Sequence, residues 1–150
     1  MHPLAETLLD EPVIAAVKTD DALTAALASP CSTVFLLAST LLNVGELVRR
    51  IHAAGKLAVV HIDLVDGLSA REVAVNSLIA LCHPDGIIST HPSLIRRARH
   101  QGLLTIQRAF ILDSLSLNNL SGHLEQGKPD FVEILPGFIA TATTEISTRT

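Results

Sequence analysis

Polar and charged side chains follow nearly every apolar, strand-like run of this sequence. Lys18 closes the first run, and the segment AVVHIDLVDG carries His61, Asp63 and Asp66. The later members of the set, in chain order, are Ser89, Gln107, Arg108 and Glu133. A lysine or arginine neutralises a phosphate, whereas histidine, carboxylate and hydroxyl groups form hydrogen bonds with a polyol or share a proton. The set therefore predicts a site for a small, polar or anionic ligand.

The same residue types leave an enzymatic reading open. Lys18 could act as a nucleophile, and His61, Asp63 and Glu133 could transfer protons. That reading describes a small enzyme acting on a phosphorylated three-carbon compound. One histidine with two carboxylates falls short of a complete metal ligand set, so we expect neither a metal nor another cofactor.

Several members of the set also have purely structural readings. Arg108 could pair with Glu133 or with Asp113. Asp66 could belong to a turn with the glycine that follows it. Thr90 stands before a proline-initiated helix, so we expect it to cap that helix rather than to contact a ligand.

The elements that must position these residues alternate along the chain. The predicted strands are Val13–Val17, Thr33–Leu37, Ala58–Asp63, Gly86–Ser89, Leu104–Arg108 and Phe131–Leu135. Helices are predicted near 21–28, 44–54, 70–82, 93–101 and 115–126. Capping signals support three of these helices: Asn43 with Glu46, Ser69 with Glu72, and Asp113. Such a βα repeat predicts a parallel sheet in an α/β fold.

Polar tips on successive strands favour a TIM-type (βα) barrel over an open sheet, which would bind a ligand at one switch point. In the third strand, Val59, His61 and Asp63 alternate with apolar residues and so share one face. Gln107 and Arg108 are adjacent, so at most one of them faces the barrel interior. Only about six βα units are found, which predicts an incomplete or open barrel.

Composition restricts the class of protein. The chain has 150 residues, of which 48% are hydrophobic and 17% charged, as expected for one folded domain over residues 1–150. No apolar run is long enough for a membrane span, and from the composition of the first residues we expect no signal peptide. Cys31 and Cys82 match no metal or redox spacing, so we expect a reduced, cytoplasmic protein.

The charge balance argues against general nucleic-acid binding. The net charge is −4, and the chain has no Trp, no Tyr and only four Phe. Any RNA contact must therefore depend on a local cluster. The densest basic run contains Arg96, Arg97 and Arg99. Such a run is either an RNA-binding surface or a solvated helix face.

Longer stretches of the sequence resemble the glycerol-3-phosphate-responsive antiterminator family. They are VFLLAST, LLNVGELV, VVHIDLVDGLSAREVAV, DGIISTHPSLIRRAR, LLTIQRAFILDSLSL and KPDFVEILPG, in this order from Pro12 to Gly137. The resemblance implies a small (βα) barrel without catalytic turnover that binds glycerol 3-phosphate and the leader mRNA of glycerol-metabolism operons. It places the ligand among the strand-end residues named above.

Compared with the family that it resembles, the sequence differs at its C-terminal end. A seventh strand and a glycine-bearing turn would come next in the family, so we expect a chain that is shortened at its C-terminus. Two further possibilities stay open. The chain could be a remnant without function, or it could form a homo-oligomer that covers its sheet edges.

Overall fold

The computed structural model describes residues 2–136. Its six helices are α1 (Ala5–Asp10), α2 (Asp20–Ala28), α3 (Val44–Ala53), α4 (Val73–Cys82), α5 (Pro92–His100) and α6 (Ser114–Gly127). Its strands are β1 (Ala15–Val17), β2 (Thr33–Leu36), β3 (Ser39–Thr40), β4 (Leu57–His61), β5 (Val65–Asp66), β6 (Gly86–Ser89), β7 (Leu104–Phe110) and β8 (Phe131–Leu135). Each predicted strand and helix is present, with ends that shift by a few residues.

The main sheet has the strand sequence of a barrel. Its order is β1-β2-β4-β6-β7-β8, and every neighbouring pair is parallel. The strands therefore follow one another around the sheet in chain order, without the reversal that defines a doubly wound fold. This curled, six-stranded half-barrel confirms the predicted fold class.

The outer face of the sheet packs against the helices. Val34, Leu36, Val60 and Ile87 form one apolar core with Val48 and other buried residues of the helices. Their burial follows the period of two expected of strands covered on both faces. This core fixes which side of each strand is left for the barrel interior.

The inner face of the sheet has its own apolar core. Phe35, Val59, Ile88 and Ile106 pack there against Leu8 of α1. The six-residue α1 was not predicted, because it is too short to show a clear helical period. It covers the inner apolar residues and leaves the polar strand ends above them.

β4 ends earlier than predicted. The strand stops at His61, and residues Ile62–Leu64 form a 3-10 turn that leads into β5. β5 then pairs with β3 in a separate two-stranded sheet. Asp63 is therefore placed by this turn and not by strand alternation.

Two predicted capping boxes are wrong in detail, and one N-cap is confirmed. Asp113 accepts a hydrogen bond from the backbone N–H of Ser116 at 2.7 Å, as expected of an N-cap. Asn43 instead accepts from the N–H of Thr40 and closes the turn before α3. α4 begins only at Val73, because the preceding residues form a turn.

Cys82 belongs to the apolar core. Cys82 is buried, and its thiol donates to the carbonyl of Leu78. Burial raises the pKa of the Cys82 thiol to about 12, which leaves it unreactive near neutral pH. None of the helices within residues 2–136 combines the length and apolar character that a membrane span requires.

Candidate functional site

Three of the predicted site residues share the inner face at the carboxyl ends of their strands. His61 follows Val59 by two residues in β4, and Arg108 follows Ile106 by two in β7. Glu133 of β8 lies opposite Arg108 in the strand register. Strand alternation thus continues the inner apolar core into a polar layer. The structure thus places His61, Arg108 and Glu133 on one face of the sheet, and their role in ligand binding stays a prediction.

Arg108 and Glu133 form a bidentate ion pair. The Arg108 Nε atom lies 2.6 Å from Glu133 Oε2, and Nη2 lies 3.2 Å from Oε1. The two side chains are only 12% and 27% exposed, so water screens the pair weakly. A guanidinium has five N–H donors, and this pair uses two of them. The remaining donors form no hydrogen bond with the described residues.

His61 is buried beside this pair with an unused ring nitrogen. The residue is 3% exposed, and its Nδ1 has no hydrogen-bond partner among the described residues. Burial lowers the pKa of His61, and the positive charge of Arg108 lowers it further, whereas Asp63 and Glu133 act in the opposite direction. Burial and the charge of Arg108 together favour the neutral imidazole, whose Nδ1 is enclosed without a partner.

The lowered pKa of His61 predicts acid sensitivity. Between its ordinary pKa of about 6.5 and its lower folded value, the unfolded chain binds a proton that the folded chain does not. Stability is therefore complete above about pH 6.5 and falls as the pH decreases. We expect the free energy of unfolding to fall between pH 7.5 and pH 5.5 in both proteins, but by less in His61→Gln than in the unsubstituted protein. Urea unfolding at the two pH values measures the difference. Equal losses in the two proteins would contradict this assignment.

Asp63 connects the turn after β4 to the loop after β6. Its Oδ1 accepts a hydrogen bond from Ser89 Oγ at 2.6 Å, and its Oδ2 accepts from the N–H and the hydroxyl of Thr90 at 2.8 and 2.9 Å. His91 Nδ1 lies 3.4 Å from Oδ1. Burial alone would raise the pKa of Asp63, but the hydrogen bonds from Ser89 and Thr90 outweigh it and lower the pKa. Asp63 is thus ionised. We call its hydrogen-bonded contact with Thr90, at the edge of the mouth, the latch.

The predicted role of Thr90 as the cap of α5 is wrong. The N-cap position belongs to His91, and the Thr90 hydroxyl donates to Asp63. The capping signal was local, whereas its actual partner is 27 residues away. The contact between Thr90 and Asp63 becomes evident only when Asp63 is placed in the 3-10 turn that faces the loop after β6.

Gln107 lies on the opposite face of β7 from Arg108. It is 1% exposed, and a Cβ atom added to Gly127 of α6 would lie 3.4 Å from its Oε1. Its Nε2 donates to the carbonyl of Thr90 at 2.9 Å, while Oε1 has no partner among the described residues. The structure therefore places Gln107 beneath the loop that carries Thr90 and not among the side chains of the interior.

Lys18 and Asp66 are exposed. Lys18 directly follows β1, and Asp66 belongs to β5, where its backbone carbonyl accepts from Leu41. Among the described residues, no hydrogen bond or ion pair joins the Lys18 or Asp66 side chain to His61, Arg108 or Glu133. Their predicted roles in ligand binding stay predictions.

The α5 arginines all have partners within the chain. Arg96 pairs with Glu72 at 3.2 Å, Arg97 donates to Asn76 at 3.0 Å, and Arg99 donates to the carbonyl of Lys128 at 2.7 Å. Arg96 and Arg99 remain exposed. These contacts hold the side chains in place without removing their positive charges, because only Glu72 brings an opposite charge.

A mainly apolar cavity of about 450 Å³ adjoins the polar layer between the edge strands β1 and β8. Its walls include Leu8, Ala16, Phe35 and Phe131, and Glu133 lies at its polar side. In the described part of the chain, no group of three or more histidine, cysteine or acidic residues could hold a metal ion.

Comparisons with known proteins agree with this geometry. Residues 13–150 match the family model described as glycerol-3-phosphate responsive antiterminator. The match extends beyond Gly137, where the resemblance seen in the sequence ends. The uncharacterized protein YgcP of Escherichia coli K12 is 41% identical over 135 residues, which cover 90% of this chain and 71% of that protein.

Two solved structures share the fold. The glycerol uptake operon antiterminator regulatory protein of Listeria monocytogenes superposes with a TM-score of 0.87 at 30% identity, over 91% of this chain and 74% of that one. A glycerol uptake operon antiterminator-related protein of Thermotoga maritima gives a TM-score of 0.77 at 30% identity, over 89% and 76% of the two chains.

Proposed function

Since the chain belongs to the glycerol-3-phosphate responsive antiterminator family, we propose that it is a cytoplasmic regulator that binds glycerol 3-phosphate at the mouth of its half-barrel and thereby controls its binding to leader mRNA. The phosphate would lie on the free donors of Arg108. The glycerol hydroxyls would lie near His61 and the latch made by Asp63 and Thr90.

One observation carries this proposal: the same polar layer contains a buried ring nitrogen without a partner, on His61, and a fixed cation, Arg108. His61 Nδ1 lacks a partner while Arg108 lies in the same polar layer. An unpaired buried polar atom costs about 1–3 kcal/mol, so a ligand that satisfies it gains that free energy on binding. A small polyol phosphate has both the charge and the hydroxyl groups for this purpose.

Regulation is favoured over turnover by the state of the carboxylates. Both Asp63 oxygens accept hydrogen bonds, and Glu133 is occupied by Arg108. A general acid or base works best with a pKa near the operating pH, whereas the pKa of Asp63 is lowered. These groups are therefore suited to hold a ligand and its surrounding loops, as a sensor requires.

The RNA surface would be the exposed side of α5. Helix α5 starts directly after the loop that contains Thr90 and His91, so a ligand that moves this loop also moves Arg96 and Arg99. A ligand changes RNA affinity only by as much as it discriminates between two arrangements of the protein. The direct attachment of α5 to the latch is the structural support for such a link.

The test is binding of the protein to a leader transcript of a glycerol-metabolism operon, with and without glycerol 3-phosphate. We expect the ligand to raise RNA affinity and the apparent melting temperature, and glycerol alone to do neither. Binding of ligand with no effect on RNA affinity would contradict the regulatory proposal. Turnover of glycerol 3-phosphate would favour the enzymatic alternative.

Replacing Arg96 and Arg99 together with alanine is expected to weaken RNA binding about tenfold at low salt. It should also reduce the slope of log affinity against log salt by about 1.4, because each phosphate contact on a single strand contributes about 0.7 to that slope. Affinity for glycerol 3-phosphate should stay unchanged. As a matched control, Arg49→Ala removes an exposed arginine from α3 and should leave the slope unaltered.

A further inference from the structure

Helix α4 exposes a face without any charge. Its sequence VAVNSLIALC makes it the only one of the six described helices that carries no charged residue. Val73 is 63% exposed and Leu81 is 44% exposed. Ser77 lies between them at helical spacing, with Ala80 beside it. Asn76 is also exposed and accepts a hydrogen bond from Arg97, but no residue of α4 itself carries a charge. Exposed apolar residues on such an uncharged helix often mark a contact surface.

The unfinished edges of the half-barrel do not explain this face. α4 contacts α3 on one side and α5 on the other. The strands that precede and follow it in the main sheet, β4 and β6, are the two central ones. A strand added beside β1 or β8 would be separated from this central pair by two other strands. The face therefore needs an occupant of its own.

The face is complementary to itself under a two-fold axis. Val73, Ser77 and Leu81 are spaced by four residues, so they form one ridge about 12 Å long at 1.5 Å per residue. If two such helices cross antiparallel at Ser77, Val73 of each contacts Leu81 of the other. The small Ser77 and Ala80 at the centre let the helices approach closely. Two-fold interfaces require this reciprocity between residues i and j.

Two of the charges that flank the ridge, on Arg71 and Glu46, are also complementary, whereas Glu72 is already paired with Arg96. Arg71 is exposed just before the N-terminal end of α4. Glu46 is exposed near the other end, since a Cβ atom on neighbouring Gly45 would lie 3.0 Å from the carbonyl oxygen of Leu81. An antiparallel pair brings Arg71 of one copy toward Glu46 of the other. Opposite charges around an apolar centre favour this register over a parallel one.

We propose that this chain forms a homodimer through the α4 face, with Val73, Ser77 and Leu81 at its centre. The occupant is a second copy of the chain, because the ridge and its flanking charges match themselves. Each dimer would then carry two α5 helices, which doubles the basic surface available to one RNA. The dimer itself does not depend on the RNA or on glycerol 3-phosphate.

The test is sedimentation velocity of the full chain over a range of concentrations. We expect a dimer, and Leu81→Glu should raise its dissociation constant about 100-fold or more, because it buries an unpaired charge in the interface. The matched control is Leu112→Glu, which places the same charge on a 77% exposed leucine near the barrel mouth. Circular dichroism checks that both variants fold.

Two further variants test the register. Oxidation of Ser77→Cys should join two copies covalently, whereas Ser121→Cys on α6 should not. Arg71→Glu should weaken the dimer, and Arg71→Glu with Glu46→Arg should restore it. A protein that is monomeric at all concentrations, or a dimer that Leu112→Glu breaks and Leu81→Glu does not, would overturn the proposal.

Discussion

Replacing Arg108 with methionine is expected to weaken glycerol 3-phosphate binding about 100-fold or more. Removing one partner of a buried, hydrogen-bonded charge pair costs about 2–5 kcal/mol of affinity, and each 1.4 kcal/mol is a factor of ten. Arg108 is 12% exposed and already held by Glu133, so little entropy is lost when it binds an anion. Isothermal titration calorimetry with glycerol 3-phosphate measures the change.

The same substitution leaves Glu133 without its partner, so it should also lower the free energy of unfolding by about 2–3 kcal/mol. The double variant Arg108→Met, Glu133→Gln separates the two effects. It removes the uncompensated carboxylate and should recover most of the stability, but not the affinity. Arg108→Lys keeps the charge without the paired donors and should bind with an intermediate affinity. An unchanged affinity in Arg108→Met would refute the proposed site.

The inner and outer faces of the sheet could be predicted because strand alternation leaves a direct trace in the sequence. In β4, Val60 packs towards the helices, and Val59 and His61 face the interior. Parallel strands covered by helices need apolar residues on both faces, so a histidine at position 61 is conspicuous. The sequence offers Glu133 and Asp113 as partners for Arg108, and the parallel register of β7 and β8 selects Glu133.

The contacts that the sequence concealed are those between residues far apart in the chain. Gln107 was expected near the ligand, but alternation alone could not say which of two adjacent polar residues faces inward. The side chain of Arg108 points inward, so Gln107 is buried under α6. Likewise, the partners of the α5 arginines lie just before α4, on α4 and after α6, and no local pattern indicates them.

These differences share a physical cause. Local signals such as a capping residue before Pro92 stabilise a helix end by about 1 kcal/mol, whereas a buried carboxylate needs several donors at once. Asp63 is 13% exposed and recruits Ser89 and Thr90 for that reason. The requirement of Asp63 for donors therefore determines the conformation of the loop after β6. Thr90 donates to Asp63 and does not cap α5.

The latch at Asp63 should accordingly be the largest single contribution to stability at the mouth. Asp63→Ala leaves the Ser89 hydroxyl and the Thr90 N–H and hydroxyl without their acceptor, at about 1–3 kcal/mol for each group that stays buried. We expect a loss of about 3 kcal/mol in the free energy of unfolding by urea at pH 7. Asp66→Ala, which removes an exposed carboxylate three residues later, should change it by less than about 0.5 kcal/mol.

The pH dependence distinguishes the latch from simple packing. Because the folded-state pKa of Asp63 is lowered, its contribution is complete above the unfolded value of about 3.8 and is lost as the pH falls through the folded value. The difference between Asp63→Ala and the unsubstituted protein should therefore be constant near neutral pH and shrink in acid. A difference that persists unchanged below pH 3 would mean that the side chain acts through its volume. In that case the loop after β6, and α5 behind it, would not be held by an ionised carboxylate.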